Sequence, residues 1–148
     1  MKKIILITLA FILAACSAGG SELSLNQGKW QDAHITHYRF NLTVGCFCPF
    51  ASQMPLTVEV LNNEIVSMVD INGDAFPLTD PTSEFVLRYA TINRLFSELE
   101  SDSVKQADKV TVTYDSQYGF PTEINIDFIE RAIDDELSLS ASGFETLP

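Results

Sequence analysis

Cys46 and Cys48, separated only by Phe47, are the residues of this 148-residue chain whose type and spacing most favour chemistry. Two thiols this close in sequence can form a disulfide, stay reduced in a core, or bind a metal. His34 and His37 precede them and could complete a four-ligand zinc site. Against zinc, paired thiolate ligands are usually separated by about two to four residues, and these are separated by one.

The first fifteen residues predict that the chain is exported. A lysine pair at positions 2–3 precedes an apolar run over residues 4–13, and two alanines follow. A basic start, a short apolar core and small residues before a cleavage site are the parts of a secretory signal peptide. The run is too short to cross a bilayer core of about 30 Å as a helix. We therefore predict that residues 1–15 are a signal peptide.

Cys16 follows the alanine pair directly, and this arrangement resembles a bacterial lipoprotein signal, whose cysteine receives a diacylglyceryl group and becomes the new N-terminus. The resemblance implies a membrane anchor of acyl chains on Cys16, and two or more chains hold a protein stably. Ser17 is compatible with transport to the outer membrane of a two-membrane bacterium. We expect an envelope protein facing the periplasm, with residues 16–27 as lipidated cysteine and flexible tether and 28–148 as one domain.

This expected location favours a disulfide between the two remaining cysteines. With Cys16 modified, Cys46 and Cys48 form an even pair in an oxidising compartment. In a regular strand their Cα atoms would lie near the upper limit of disulfide reach, about 6.8 Å. Gly45 and Pro49 flank the pair and permit the bend that a bridge requires. A structural Cys46–Cys48 bridge is our hypothesis, and a thiol-redox or metal-handling role is the alternative.

The charge of the chain argues against nucleic-acid partners. It carries 20 acidic and 9 basic side chains, a formal net charge of −11. Such a surface repels phosphate backbones and anionic lipid headgroups. We therefore expect no nucleic-acid binding, and membrane contact only through the anchor at Cys16.

Hydrophobic periodicity predicts an α+β fold. Period-two alternation indicates six strands, near residues 38–44, 56–60, 65–71, 110–114, 124–128 and 137–141. Asn62-Asn63 tolerates the positive φ of a tight hairpin turn. A short helix is predicted over residues 25–35, and a second from Ile92 to about residue 106, with Thr91 able to cap it. The order α-β-β-β-α-β-β-β fits one antiparallel sheet with the helices packed on one face, or a duplicated α-β-β-β unit.

Five short motifs follow one another along the chain. In order, they are Trp30, Tyr38 with Phe40, Cys46 with Cys48, Leu95 with Phe96, and a turn containing Tyr114, Asp115, Gly119 and Pro121. Together they resemble a family of uncharacterised bacterial secreted proteins and lipoproteins, a domain of unknown function. The match covers about residues 28 to 144. The resemblance implies an exported α+β domain and supplies no assigned activity or cofactor.

Catalytic motifs are absent from the sequence. It contains no Gly-x-Ser-x-Gly elbow, no His-Glu-x-x-His helix, no phosphate-binding glycine loop and no dinucleotide fingerprint. Residues 70–74 place oxygens at the first, third and fifth positions of a calcium loop, but Ala75 and Pro81 replace its glycine and its final glutamate. The acidic residues of the loop near position 130 are predicted to be solvated. We expect a non-enzymatic domain, without metal or cofactor, that binds another envelope component through its sheet face or an edge.

Overall fold

A six-stranded antiparallel sheet organises the chain, which the computed structural model describes over residues 21–45 and 50–148. The strands are β1 (His37–Gly45), β2 (Leu56–Leu61), β3 (Glu64–Val69), β4 (Lys109–Tyr114), β5 (Pro121–Asp127) and β6 (Glu136–Thr146). The helices are α1 (Glu22–Asp32), α2 (Glu84–Leu87), α3 (Ile92–Leu99) and α4 (Asp102–Lys105), with 3₁₀ turns at Ala51–Gln53 and Pro81–Ser83. The predictions of an α+β fold and of an antiparallel sheet of about six strands are confirmed. None of the described helices has the length and apolarity that crossing a bilayer requires.

Helix α1 begins earlier than the sequence pattern indicated. The hydroxyl of Ser21 accepts a hydrogen bond from the Ser24 amide at 3.2 Å, and Glu22 lies in the first turn. A serine cap and an acidic first turn both stabilise a helix N-terminus. Residues 22–27, which we expected to belong to the tether, are therefore part of this helix.

The hairpin between β2 and β3 follows the prediction. Asn62 and Asn63 have φ angles of 50° and 67°, and Leu61 pairs directly with Glu64. Two consecutive residues with positive φ form the turn that matches the twist of the flanking strands. Strand β3 then ends at Val69, so Ile71, which we expected in this strand, lies exposed in the following turn.

The predicted long helix is two helices. Thr91 caps α3 as expected, its hydroxyl accepting from the Arg94 amide at 3.1 Å. Helix α3 ends at Leu99, and Ser101 starts α4 by accepting a hydrogen bond from the Val104 amide at 3.3 Å. A serine in extended conformation is a helix start signal, and here it interrupts the helix that we expected to continue to about residue 106.

The order of the strands in the sheet is β3-β2-β1-β6-β5-β4, and every pair is antiparallel. In a duplicated unit, β1, β2 and β3 would correspond to β4, β5 and β6. These corresponding strands keep the same left-to-right order in the sheet but run in opposite directions. A rotation that reverses strand direction and keeps that order would also exchange the faces of the sheet. Helices α1 and α3 contact each other and so lie on the same face. This topology does not support a duplicated unit.

Alternate strand residues and buried helix residues form one core. The side chains that point to it define the inner face of the sheet, for example Phe40, Leu42, Val58, Ile124 and Leu139. The intervening residues define the outer face, which is mainly polar, for example Arg39, Asn41, Glu59, Asn125 and Ser140.

A buried phenol links the sheet to α3. The hydroxyl of Tyr38 accepts a hydrogen bond from the Ile92 amide at 3.1 Å, at the first residue of that helix. Burial raises the pKa of Tyr38 to about 12, so this group stays neutral at physiological pH. Tyr38 thus positions the N-terminus of α3 on the inner face.

Candidate functional site

The three cysteines lie outside the described residues. Lipidation of Cys16 and the Cys46–Cys48 disulfide therefore stay predictions. Both histidines of the alternative zinc site have other partners. His34 Nδ1 lies 2.7 Å from the Gln31 carbonyl oxygen, and His37 contacts Glu59 and Pro148. Within residues 21–45 and 50–148, no three metal-ligating side chains cluster.

The Asp70 turn, considered as a calcium loop, satisfies its own carboxylate. Asp70 Oδ1 accepts hydrogen bonds from the amides of Asn72 at 2.8 Å and Asp74 at 2.9 Å. Desolvation opposes ionisation of Asp70, but these hydrogen bonds outweigh it and lower the pKa of the group. The turn is therefore held by local hydrogen bonds to the Asp70 carboxylate.

The motif residues Tyr114, Asp115, Gly119 and Pro121 form the connection between β4 and β5. Asp115 Oδ1 accepts from the amides of Gln117 at 3.0 Å and Tyr118 at 2.6 Å. Its backbone amide donates to the Phe120 carbonyl at 2.8 Å, and its carbonyl accepts from the Gly119 amide at 3.0 Å. Four hydrogen bonds at one residue fix the shape of this turn.

Gly119 brings the turn against helix α1. It has a φ of +78°, and a Cβ at this position would lie 2.4 Å from the Asn26 carbonyl oxygen and 2.9 Å from the Lys29 Cβ. Real Cβ atoms do not approach other atoms this closely, and positive φ also favours glycine. The turn therefore docks on the helix through a contact that only glycine allows.

Strand β6 carries a bulge that redirects its last residues. Arg39 pairs with Glu145 whereas Asn41 pairs with Ser142, so β6 holds one residue more than β1 in this interval. Gly143 adopts a φ of +58° there. A glycine with positive φ is typical of such a bulge, and the extra residue returns Phe144 to the inner face.

A groove opens where β5 and β6 separate. The last pair of their ladder is Glu123 with Ser140, and residues 141–146 of β6 continue alongside β1 alone. The resulting cavity has a volume of about 640 Å³. We call it the β5–β6 groove; its lining is Asp115, Gln117, Tyr118, Phe120, Thr122, Glu123, Ser140, Ala141, Ser142, Gly143 and Phe144.

Aromatic rings support this groove. The ring centroids of Phe120 and Phe144 are 4.6 Å apart, and Tyr118 lies 5.7 Å from Phe144. Behind them Trp30 contacts Phe120 at 6.1 Å and Phe144 at 5.9 Å, both edge to face. Trp30 Nε1 donates to Asn93 Oδ1 at 2.7 Å, which joins α1 to α3. The groove is therefore backed by a rigid, mostly buried aromatic cluster.

The groove is acidic. Asp115 and Glu123 are in its lining, which contains no lysine, arginine or histidine. Over the described part of the chain, neither carboxylate belongs to an ion pair. Glu123 Oε1 accepts a hydrogen bond from Asn125 Nδ2 at 2.9 Å. A groove of this charge attracts cations and repels anionic ligands.

A second, smaller cavity of about 270 Å³ adjoins Gly45 at the other end of the same strand pair. Lys109 and Glu136 are among its lining residues, so it carries charges of both signs. It lacks the aromatic support of the β5–β6 groove, which makes the larger groove the better candidate for a binding site.

The residues that form this fold also match a known protein family. A family of unknown function, DUF6174, matches residues 22–146. The chain belongs to this family. The DUF6174 region thus begins with α1 and ends with β6, and it contains the Asp115 turn and the whole β5–β6 groove. Searches of curated proteins and of solved structures found no match to the chain.

Most of the groove could not be predicted from sequence. The Asp115 turn is a recognisable motif, but Glu123, Ser142 and Phe144 carry no such signal, because a groove between strands depends on where their pairing stops. One local signal was present: Gly143 interrupts the alternation of β6, and an isolated glycine in a strand pattern indicates a bulge.

His37 holds the end of the described chain to the outer face. Its Nε2 donates to Glu59 Oε1 at 2.9 Å and its Nδ1 donates to the Pro148 carbonyl oxygen at 2.8 Å. A neutral imidazole has one N–H, so satisfying an ionised carboxylate and a carbonyl together requires the protonated ring. The bond to Glu59, followed by the bond to Pro148, raises the pKa of His37 above 6.5.

The stability that His37 contributes should therefore depend on pH. A group whose pKa rises on folding stabilises the folded state below its unfolded pKa, and this contribution is lost as pH rises through the folded value. We expect the difference in Tm between wild type and His37→Gln to be largest below pH 6.5 and to vanish above the folded-state pKa. In Glu59→Gln, NMR titration of the His37 ring should give a lower pKa. An unchanged pKa would contradict this assignment.

Proposed function

We propose that this DUF6174 protein is a lipid-anchored, non-enzymatic binding domain of the cell envelope. Acyl chains on Cys16 attach it to a membrane. In a two-membrane bacterium this is the outer membrane, and the domain faces the periplasm. The domain binds another envelope component, and the β5–β6 groove is its binding site. The expected Cys46–Cys48 disulfide has a structural role in this proposal.

One observation carries the proposed site: the β5–β6 ladder ends in a groove of about 640 Å³ with an aromatic floor and polar walls. Ligand sites in proteins are concave, of about 300–1,000 Å³, and combine aromatic side chains with a few polar groups. Asp115 and Gly119 hold one wall rigidly against α1. A wall that does not have to be ordered on binding lowers the entropic cost of association.

The anchor is tested through Cys16. In cells grown with an alkyne-bearing fatty acid, the wild-type protein should carry the label and Cys16→Ser should carry none, because that thiol is the expected attachment point. In-gel fluorescence after coupling to a dye measures the label. A wild-type protein without label would count against the anchor and against the envelope location that depends on it.

The groove is tested separately by photocrosslinking in cells. A photoreactive residue at Ser142, which is exposed in the groove, should give a discrete adduct with an envelope component. The same residue at Ser103, an exposed serine of α4 outside the groove, is the matched control. Equal patterns from the two positions would contradict the assignment of the site.

A further inference from the structure

Strand β4 forms one edge of the sheet. It pairs with β5 on one side and is the last strand of the order on the other. The opposite edge, β3, is partly covered, because the Phe76 amide donates to the Met68 carbonyl at 2.8 Å and Val69 forms a bridge with Ala75. Within residues 21–45 and 50–148, no such hydrogen bond reaches the outer side of β4. The backbone of this strand is therefore free to pair with another extended chain.

Backbone groups of alternate residues in β4 face this free side. The Thr113 carbonyl accepts a hydrogen bond from the Thr122 hydroxyl at 3.1 Å, so the backbone of Thr113 faces β5. Alternate residues of an antiparallel strand direct their amides and carbonyls to opposite sides. Val110, Val112 and Tyr114 therefore direct theirs away from β5.

The usual protections of an edge strand are missing from β4. Natural edges are protected by proline, by bulges or by inward-pointing charges. Strand β4 contains no proline, and the bulge beside Thr113 places its extra residue, Thr122, in β5. Val110 pairs with Ile126 on the inner face and is nevertheless 37% exposed. The inner face is therefore incompletely covered at this edge.

The side chains of β4 complement a second copy of the same strand. When two copies run antiparallel with Val112 opposite Val112, Val110 lies opposite Tyr114 and Thr111 lies opposite Thr113. Pairs of a β-branched and an aromatic residue, and pairs of threonines, stabilise neighbouring strands. The register also sets all three residues with free backbone groups opposite one another, as hydrogen-bonded pairs require.

Charge favours the same register. Lys109 is the only charged residue of β4, and it is basic in a chain of net charge −11. With Val112 on the twofold axis, Lys109 lies opposite Asp115 of the other copy at both ends of the strand pair. Asp115 Oδ1 accepts the hydrogen bonds of the turn, and within the described residues no ion pair engages this carboxylate. Displacing either strand by two residues would remove both ion pairs.

We propose that β4 is a self-association edge, through which two copies of the chain join their six-stranded sheets into one antiparallel sheet. Backbone hydrogen bonds connect Val112 with Val112 and Val110 with Tyr114, and Lys109 pairs with Asp115 at each end. The same surface of both copies is used, so assembly closes at the dimer. This inference goes beyond the proposed function and does not depend on the anchor or on a groove ligand.

The first test measures the assembly state of the full chain. The protein, isolated as cells produce it, is studied by sedimentation equilibrium in a neutral detergent whose density the buffer matches. We expect a reversible equilibrium between monomer and dimer, without larger species. A mass that stays monomeric up to millimolar protein concentration would overturn the proposal.

The second test places like charges on the twofold axis. Val112→Lys sets two ammonium groups directly opposite each other, which destabilises a strand pair, and should abolish the dimer. Val66→Lys adds the same charge to β3, at a valine that is 48% exposed, and should leave dimerisation unchanged. Circular dichroism verifies that both variants fold. Retention of the dimer in Val112→Lys, or its loss in both variants, would contradict the assigned edge.

The third test addresses the register with a milder substitution. Lys109→Gln removes two exposed ion pairs from the dimer and should weaken it by about two- to thirtyfold, from the usual strength of such pairs. Arg39→Gln removes the same charge from β1, three strands away in the sheet, and should not weaken the dimer. Equal weakening by the two substitutions would reduce the effect to overall charge and overturn the register.

Amide hydrogen exchange then distinguishes strand pairing from any other kind of dimer. In ¹⁵N-labelled protein, exchange of the Val112 and Tyr114 amides should slow as protein concentration rises, because these donors become hydrogen-bonded only in the dimer. Exchange of the Thr111 amide, which faces β5, should stay the same. A dimer in which exchange at Val112 does not depend on concentration would overturn pairing through β4.

Discussion

Gly119→Ala is expected to destabilise the domain by about 2–6 kcal/mol, combining ~1–3 for a residue held at positive φ with ~1–3 for overpacking. The new Cβ would lie 2.4 Å from the Asn26 carbonyl oxygen, a backbone atom inside α1 that cannot move without displacing the helix. Natural domains are stable by only about 5–15 kcal/mol, so this change removes a large share of the total. Urea unfolding followed by circular dichroism measures the loss.

Two other glycines separate the causes. Gly73 has a φ of +86° with open space at its Cβ position, so Gly73→Ala reports the backbone cost alone. Gly28 lies inside α1, also with open space, and Gly28→Ala should stabilise by up to about 1 kcal/mol through helix propensity. Gly119→Ala should cost clearly more than Gly73→Ala. If the two variants unfold at the same urea concentration, the close contact with α1 has no energetic weight.

Trp30→Ala is expected to cost about 3–5 kcal/mol, the usual range for truncating a large buried aromatic residue. Trp30 is 6% exposed, and it contacts Tyr38 edge to face at 5.4 Å as well as the two phenylalanines behind the groove. Its loss leaves a cavity between α1, the sheet and the Gly119 turn. Urea unfolding followed by circular dichroism is again suitable, because the variant has no tryptophan to report by fluorescence.

Matched variants divide this effect into its parts. Trp30→Phe keeps a ring but removes the donor to Asn93 Oδ1. Asn93 is exposed and can bind water instead. The lost hydrogen bond should therefore account for about 0.5–1.5 kcal/mol of the destabilisation. Leu25→Ala alters an exposed residue of the same helix and should change stability by less than about 0.5 kcal/mol. A loss for Trp30→Ala no larger than that for Leu25→Ala would refute the role of the aromatic cluster.

Local sequence patterns were sufficient to predict a strand, turn or helix start wherever the interactions that determine it are also local. The alternation of Val58 and Val60 with polar residues reflects a strand with one buried face, and two consecutive asparagines fix the β2–β3 turn. Thr91 caps α3 through an amide three residues away. These features could be predicted because each depends on residues within one turn or one strand.

Boundaries set by competing local signals were predicted less well. Ser21 and Ser101 both start helices, and the apolar spacing of the following residues does not show where the preceding segment stops. The tether was therefore predicted too long, and the second helix was predicted as continuous.

The candidate site could be predicted only in part. The Asp115 turn was recognisable as a motif, since its aspartate and glycine are typical turn residues. Its role against α1 was not, because the contact of Gly119 with Asn26 joins residues far apart in sequence.

The amino-acid sequence alone accounts for the class of the fold, the acidic surface and the expected export and lipidation, since these follow from composition, periodicity and short motifs. Tertiary contacts alone account for the central β1–β6 pairing, the bulge at Gly143 and the point where β5 leaves β6. Pairing partners and register depend on the total free energy of burying one face of the whole sheet, and no local pattern contains that sum. The groove is a consequence of where pairing ends, and therefore appears only in the folded chain.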